Sequence, residues 1–192
     1  KKDPQILDES LQTSLDEIRK MKILIDEMLE LARGQQLKEY PPINIKIYTD
    51  EVINEMKQIN PDIQIQHNDD DSNHLLVRIS SNSFLQIMRN ILTNAIRYSK
   101  DPAIINISYE KNTDEVIVHI KDKGIGMTPE QLPKIFDRFY RVESARSKHL
   151  GGSGLGLSIV KMLVENVQGK IQVTSEEGVG TTISLIFPIS KN

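Results

Sequence analysis

Between Leu11 and Ala32 the apolar residues Leu11, Leu15, Ile18, Ile25, Leu29 and Ala32 follow a four-three spacing broken only at Lys22, and Met21, Leu24, Met28 and Leu31 form a second stripe beside them. That pattern predicts one long helix with a wide apolar face. A face of that width needs partner helices, from the same parent protein or a second copy. The stretch "RGQQLKEYPP" then stops the helix at Gly34 and bars its resumption with Pro41 and Pro42. The expected organisation is a helical unit over 1–34, a linker over 35–42 and a second domain over 43–192.

In that second domain the pattern changes from stripes to short alternations. A strand is expected around Ile43 to Tyr48, then a helix opened by Thr49 and Asp50 and closed near Pro61. "DIQIQH" and "LLVRIS" read as strands on either side of an acidic turn, "NDDDSN", which lacks the ligand spacing of a calcium loop. "NSFLQIMRNILTNAIRYS" is amphipathic at helical period, and "AIINISYE" and "EVIVHIKDKG" alternate as strands joined through "KNTD". A polar loop over 127–153, long enough to carry a function, leads to a helix over 154–167. Two last strands, "KIQVTS" and "TTISLIFPI", meet through "EEGVG". The fold class expected is α+β, a two-layer sandwich of mixed sheet with helices on one face, preceded by the long N-terminal helix.

Composition narrows the function classes. The 192 residues are 38% hydrophobic and 27% charged, which suits a globular chain with one good core. No window reaches the ~18 apolar residues of a membrane span, and no signal-peptide pattern opens the chain. It starts at Lys1, and the expectation is a piece of a longer protein whose remainder carries any membrane segment. The absence of cysteine excludes disulfides and thiolate metal sites. A net charge of −3 argues against nucleic acid as a partner, so a phosphate ligand has to meet local positive groups.

Four short stretches carry candidate chemistry. Asn90 and Asn94 lie four apart on a helix, so both amides project from one face toward the same ion or phosphate. In "DKGIGM", Asp122 ends a strand with a carboxylate, and Gly124 and Gly126 allow a flat ring to approach the backbone. "GGSGLGLSIV" is either a flexible connector or a loop whose following helix points free N–H groups at an anion. Read in order, an Asn-x-x-x-Asn helix, a strand ending in Asp-x-Gly-x-Gly, a loop with "IFDRFYR", a glycine-rich helix start and "GVGTT" resemble the ATP-binding catalytic domain of sensor histidine kinases. "NILTNAIRYS" is similar to that family's N box, "DKGIGM" to its first glycine box, "IFDRFYR" to its F box and "GGSGLGL" to its second glycine box, over about residues 43 to 190. "LIDEMLELAR" resembles the end of the second helix of the family's dimerisation and phosphotransfer hairpin.

The resemblance implies a Bergerat-type fold and assigns roles residue by residue. Asp122 would accept a hydrogen bond from the adenine amine, selecting ATP over GTP, with Thr181 or Thr182 supporting that edge. Asn94, assisted by Asn90, would hold Mg²⁺ on the phosphates. Arg97 and Tyr98 would reach phosphate and ribose, and the backbone of Ser153, Gly154, Leu155, Gly156 and Leu157 would cradle the phosphate chain. Phe136 and Phe139 would pin one end of a movable lid, and Arg138 or Arg141 would neutralise charge on the transferred γ-phosphoryl group.

ATP-hydrolysing relatives place a water-activating glutamate where Asn90 stands, and an amide cannot take that proton. The implied reaction is therefore transfer to a protein histidine. The family's acceptor motif lies on a first hairpin helix absent from this chain, and none of His67, His74, His119 or His149 has its context. His119, in an apolar strand, reads as a packed or sheet-face residue. The implied partners are ATP, an acceptor helix of the parent protein, a response regulator and a second copy, in a cytoplasmic domain of a membrane-anchored parent. Two rivals stand beside this reading: an ATP-bound adaptor without transfer activity, and an anti-sigma-type serine kinase, which the "IFDRFYR" box and the long preceding helix disfavour.

Overall fold

The computed structural model describes residues 40–67, 75–142 and 154–189, together with Leu11, Ser14, Leu15, Ile18 and Lys22. The chain divides into two compact units, Lys1–Lys38 and Glu39–Asn192. In the first, the five described residues are helical, and Leu11, Leu15 and Ile18 are exposed. The rest of the expected long helix, the Gly34 stop, most of the linker and the "NDDDSN" turn lie outside the described residues.

The second unit opens with β1 (Pro42–Asn44), which runs directly into α1 (Ile45–Ile59). This corrects the expected strand to Tyr48 and the helix start at Thr49 and Asp50. The Asn44 side chain caps the helix, accepting from the Lys46 N–H at 3.1 Å. Ile45, Thr49, Val52, Ile53 and Met56 then bury one helical face, and the Thr49 hydroxyl donates to the Ile45 carbonyl at 2.9 Å. "NIKIY" alternates like a strand, but its first isoleucine, Ile45, already belongs to the helical stripe that runs to Met56, and the second, Ile47, is exposed.

β2 (Gln64–His67), β3 (Leu76–Arg78), α2 (Ser81–Tyr98), β4 (Ile104–Lys111) and β5 (Glu115–Asp122) follow where the pattern placed them. After a 3₁₀ turn at Leu132–Lys134 come α3 (Gly156–Glu165), β6 (Lys170–Glu176) and β7 (Gly180–Pro188). Five strands form one sheet in the order β2-β4-β5-β7-β6, with β2 parallel to β4 and every other pair antiparallel, while β1 and β3 form a separate antiparallel pair.

Alternation along the strands decides which face holds the core. Ile105, Ile107, Val116, Val118, Leu185 and Phe187 are fully buried, as are Phe84, Ile87, Met88 and Leu92 of α2 and Ile159, Val160 and Val164 of α3. Phe84 of α2 meets Phe187 of β7 with ring centroids 6.1 Å apart, which places that helix on this face of the sheet. The intervening residues, among them Asn106, Ser108, His119, Lys121 and Ser184, are polar and half-buried or exposed. The architecture is the expected α+β mixed sheet with helices.

Candidate functional site

One end of the site is assembled where β5 stops. Asp122 Oδ1 accepts the Gly124 N–H at 2.8 Å and the Thr181 N–H at 3.2 Å. No described residue bonds to Oδ2. Burial raises the Asp122 pKa above the ordinary aspartate value, and the two backbone N–H bonds oppose that rise without cancelling it. The following turn is stitched to its surroundings. Ile125 N donates to the Tyr98 carbonyl at 2.9 Å, a bridge joins Ser99 to Gly124, and Gly178 N donates to the Ile125 carbonyl at 2.7 Å. Gly126 sits at φ +64, and a Cβ there would collide with the Glu176 carbonyl, so only glycine fits.

The other end lies between α2 and the start of α3. Asn90 and Asn94 are half-buried on α2, and a Cβ on Gly156 would stand 3.3 Å from Asn90 Oδ1 and 3.8 Å from Asn94 Nδ2. A glycine as first residue of α3 therefore keeps the space over both amides open. Neither side chain makes a hydrogen bond among the described residues. Among the described residues no side chain caps the first turn of α3, and Ser158 Oγ turns back to the Leu155 carbonyl at 2.8 Å. The helix start, two carboxamides that bond to no described residue and a missing Cβ form a cradle for a polar, anionic group.

The remaining expected residues are distributed around these ends. Leu155 is fully buried, so it can serve the site only through its backbone. Gly154, at φ +72, accepts the Phe139 N–H at 3.1 Å. Phe139 itself has φ +65, and the residue is 66% exposed. Its hold on the loop is through the main chain rather than the side chain expected to pin it. Phe136 is half-buried with Lys161 Nζ of α3 5.6 Å from its ring centroid, and Ile135 beside it is buried. The Thr128 N–H is capped by Gln131 Oε1 at 2.9 Å. The first part of the supposed loop is thus a packed turn. Arg138 and Arg141 are exposed, and Ser153 lies outside the described residues.

Arg97 lines a separate open cleft of 480 Å³ with Ile59, Asn60 and Asp101, at the C-terminal ends of α1 and α2. Thr181 and Thr182 part company. Thr181 shares the core-facing side with Asp122 and Ile183, whereas Thr182, opposite Lys121 and Thr174, belongs to the other face. His67 bonds Asp50 and Tyr109, each at 2.8 Å, and His119 bonds Ser184 at 2.8 Å on the polar face, with Nε2 3.4 Å from Glu110. His74 and His149 lie outside the described residues. Two participants escape a reading by motif: the Tyr98 carbonyl, which no side-chain pattern reveals, and Ser175, whose hydroxyl lies 2.9 Å from Thr181 Oγ1. The hairpin register around "EEGVG" is the signal that brings Ser175 opposite Thr181.

A mixed sheet carrying helices, with an acidic strand end and an amide pair under a glycine helix start, is the layout of a nucleotide-binding ATPase domain. The family model described as histidine kinase-, DNA gyrase B-, and HSP90-like ATPase matches residues 79–191, and the chain belongs to that family. The signal transduction histidine-protein kinase ArlS of Staphylococcus aureus (strain USA300) is 36% identical over 190 residues, covering 97% of this chain and 42% of ArlS. The chain thus spans about two fifths of the length of the curated relatives it matches. The solved catalytic domain of histidine kinase ThkA superposes with a TM-score of 0.66 at 26% identity, over 78% of this chain and 97% of that one. A mycobacterial sensor histidine kinase, MprB, shares the fold with the same TM-score at 22% identity, over 78% of this chain and 97% of its own.

Proposed function

We propose that this chain binds Mg-ATP and transfers the γ-phosphoryl group to a histidine on an acceptor helix of its parent protein, for relay to a response regulator. The observation that carries the reading is the pair of amides, Asn90 and Asn94, that bond to no described residue and lie beneath Gly156 at the start of α3, in a chain of this ATPase family. Asp122 Oδ2 takes one N–H of the adenine amine, and the α3 N-terminus receives phosphate oxygens. The Asn90 and Asn94 carboxamides would hold Mg²⁺ through their oxygens, which are hard donors: Asn90 Oδ1 already faces the space beside Gly156, and Asn94, whose Nδ2 lies nearest that space, would turn its amide to present oxygen. An ion held there would offset the negative charge of the phosphates.

In the transfer, the lone pair of a neutral imidazole nitrogen forms the new N–P bond. The bond from γ-phosphorus to its bridging oxygen breaks, and its electron pair leaves with ADP. The ring N–H proton passes to solvent. Asn90 cannot deprotonate water, which protects the nucleotide from hydrolysis while an acceptor docks. Arg138 or Arg141 supplies positive charge near the transferred group, as the F-box resemblance implies. The parent works as a membrane-anchored homodimer with this domain on the cytoplasmic side.

The test is incubation with γ-labelled ATP, with and without a supplied hairpin carrying the acceptor helix. Acid-labile label on the hairpin alone is the expected result. ATP binding without any transfer would support the adaptor reading, and acid-stable label would support a serine kinase. Acid-labile label on the isolated chain would place an acceptor among its own four histidines.

A further inference from the structure

Asp122, Thr181 and Ser175 form a row across the ends of β5, β7 and β6, on the core-facing side of the sheet. Ser175 Oγ lies 3.0 Å from the Gly180 carbonyl oxygen and 2.9 Å from Thr181 Oγ1. A carbonyl only accepts, so the single Ser175 hydroxyl proton is committed to Gly180. The contact between the two hydroxyls then requires the Thr181 proton, and Thr181 Oγ1 is left with lone pairs alone. The backbone donors of the row are also taken, since the Gly124 and Thr181 N–H groups both point at Asp122 Oδ1.

We propose that Ser175 is a positioning residue that sets base specificity by orienting the Thr181 hydroxyl, so that the row offers acceptors only. The inference rests on the nucleotide reading above and extends it beyond Asp122. A purine with an amine at position 6 finds two acceptors, Asp122 Oδ2 and Thr181 Oγ1. A purine with a keto oxygen there meets lone pairs at both, with no hydroxyl free to turn and donate. Removing Ser175 frees the Thr181 rotor, which then donates to the keto oxygen.

The measurement is titration of the chain with ATP and with inosine triphosphate, which exchanges the 6-amine for a keto oxygen. For Ser175→Ala the ratio Kd(ITP)/Kd(ATP) falls by about three- to tenfold, the size of one neutral hydrogen bond. Ser175→Thr, which keeps a hydroxyl, retains the wild-type ratio. Thr181→Val lowers the ratio by itself, and adding Ser175→Ala to it changes nothing further. An unchanged ratio in Ser175→Ala, in a protein whose wild type binds ATP, overturns the proposal alone. So does an equal fall in the Thr181→Val background. A wild type that binds neither nucleotide overturns the nucleotide reading and this inference with it.

Discussion

At Asp122 the site is tied to three neighbouring pieces of chain, through Gly124 and Thr181 N–H bonds to one carboxylate oxygen, the Ile125 bond to Tyr98 and the Gly178 bond to Ile125. At Asn90 and Asn94, by contrast, two half-buried amides hold nothing among the described residues, and a missing Cβ keeps the space above them open. On the proposed function the difference separates two tasks. A flat, uncharged base needs a fixed hydrogen-bond pattern for selection, which rigid main chain supplies. A phosphate chain that changes partners during transfer needs donors and oxygens that are unsatisfied until it arrives.

The strongest test removes the open end. Asn94→Ala should lower phosphoryl transfer to a supplied acceptor hairpin by at least about a hundredfold, the scale of losing one preorganised electrostatic contact, while leaving the melting temperature nearly unchanged. Scintillation counting of labelled hairpin and a thermal melt on the same sample check both halves. A loss of stability matching the loss of transfer would mean that Asn94 is structural and that the two ends are built alike.

At the wired end, Asp122→Asn should weaken ATP binding by about 10- to 100-fold in a calorimetric titration, by turning a donor toward the adenine amine. Because burial raises the Asp122 pKa, the folded chain holds that proton more tightly than the unfolded chain does. The buried charge therefore subtracts from stability above the folded-state pKa, and the penalty disappears as pH falls below the ordinary aspartate value. The amide variant of the empty protein should accordingly melt about 1–3 °C higher at neutral pH, with the gap closing in acid. ATP affinity of the wild type should fall over the same acid window, as the acceptor is protonated.

Paired glycine substitutions sharpen the contrast further. Gly126→Ala places a Cβ against the Glu176 carbonyl at positive φ and should destabilise the fold by about 2 kcal/mol in urea denaturation. Gly156→Ala, at a helical position with ordinary backbone, should change stability by less than about 0.5 kcal/mol while weakening ATP binding, because its methyl group enters the space beside Asn90 Oδ1. The smallest effect is expected at Phe136. Lys161→Met removes the cation above the ring, with a stability loss of about 0.5 kcal/mol for a contact whose lysine is 45% exposed.

The sheet and its helices were legible because β4 and β5 alternate and α2 and α3 carry single apolar stripes; the largest misplaced boundary, at Ile45, arose where strand alternation and helical spacing share the same residues. Asp122, Asn90 and Asn94 were visible because their chemistry is in their side chains. The roles of the Tyr98 and Gly180 carbonyls were not, because the partner of a carbonyl oxygen depends on which pieces of chain become neighbours. Thr181 and Thr182 are indistinguishable by type, and only the parity of β7 separates them. For Arg97, helical position places it near Asn94, and the cleft it lines with the end of α1 was not visible in the sequence.

β7, the last of the described strands, lies between β5 and β6, and Ile189 just beyond it bridges back to Val77. On the ribosome this order imposes a wait. When β4 and β5 have emerged and paired, the other edge of β5 still shows its unpaired N–H and C=O groups along "EVIVHIKD", flanked by alternating isoleucine and valine. Among the described strands β7 is the one that covers it, and it is made after the others. A nascent chain paused before Gly180 is therefore an adhesive edge strand, and synthesis speed through the final ten residues of the sheet governs how long a chaperone must shield it.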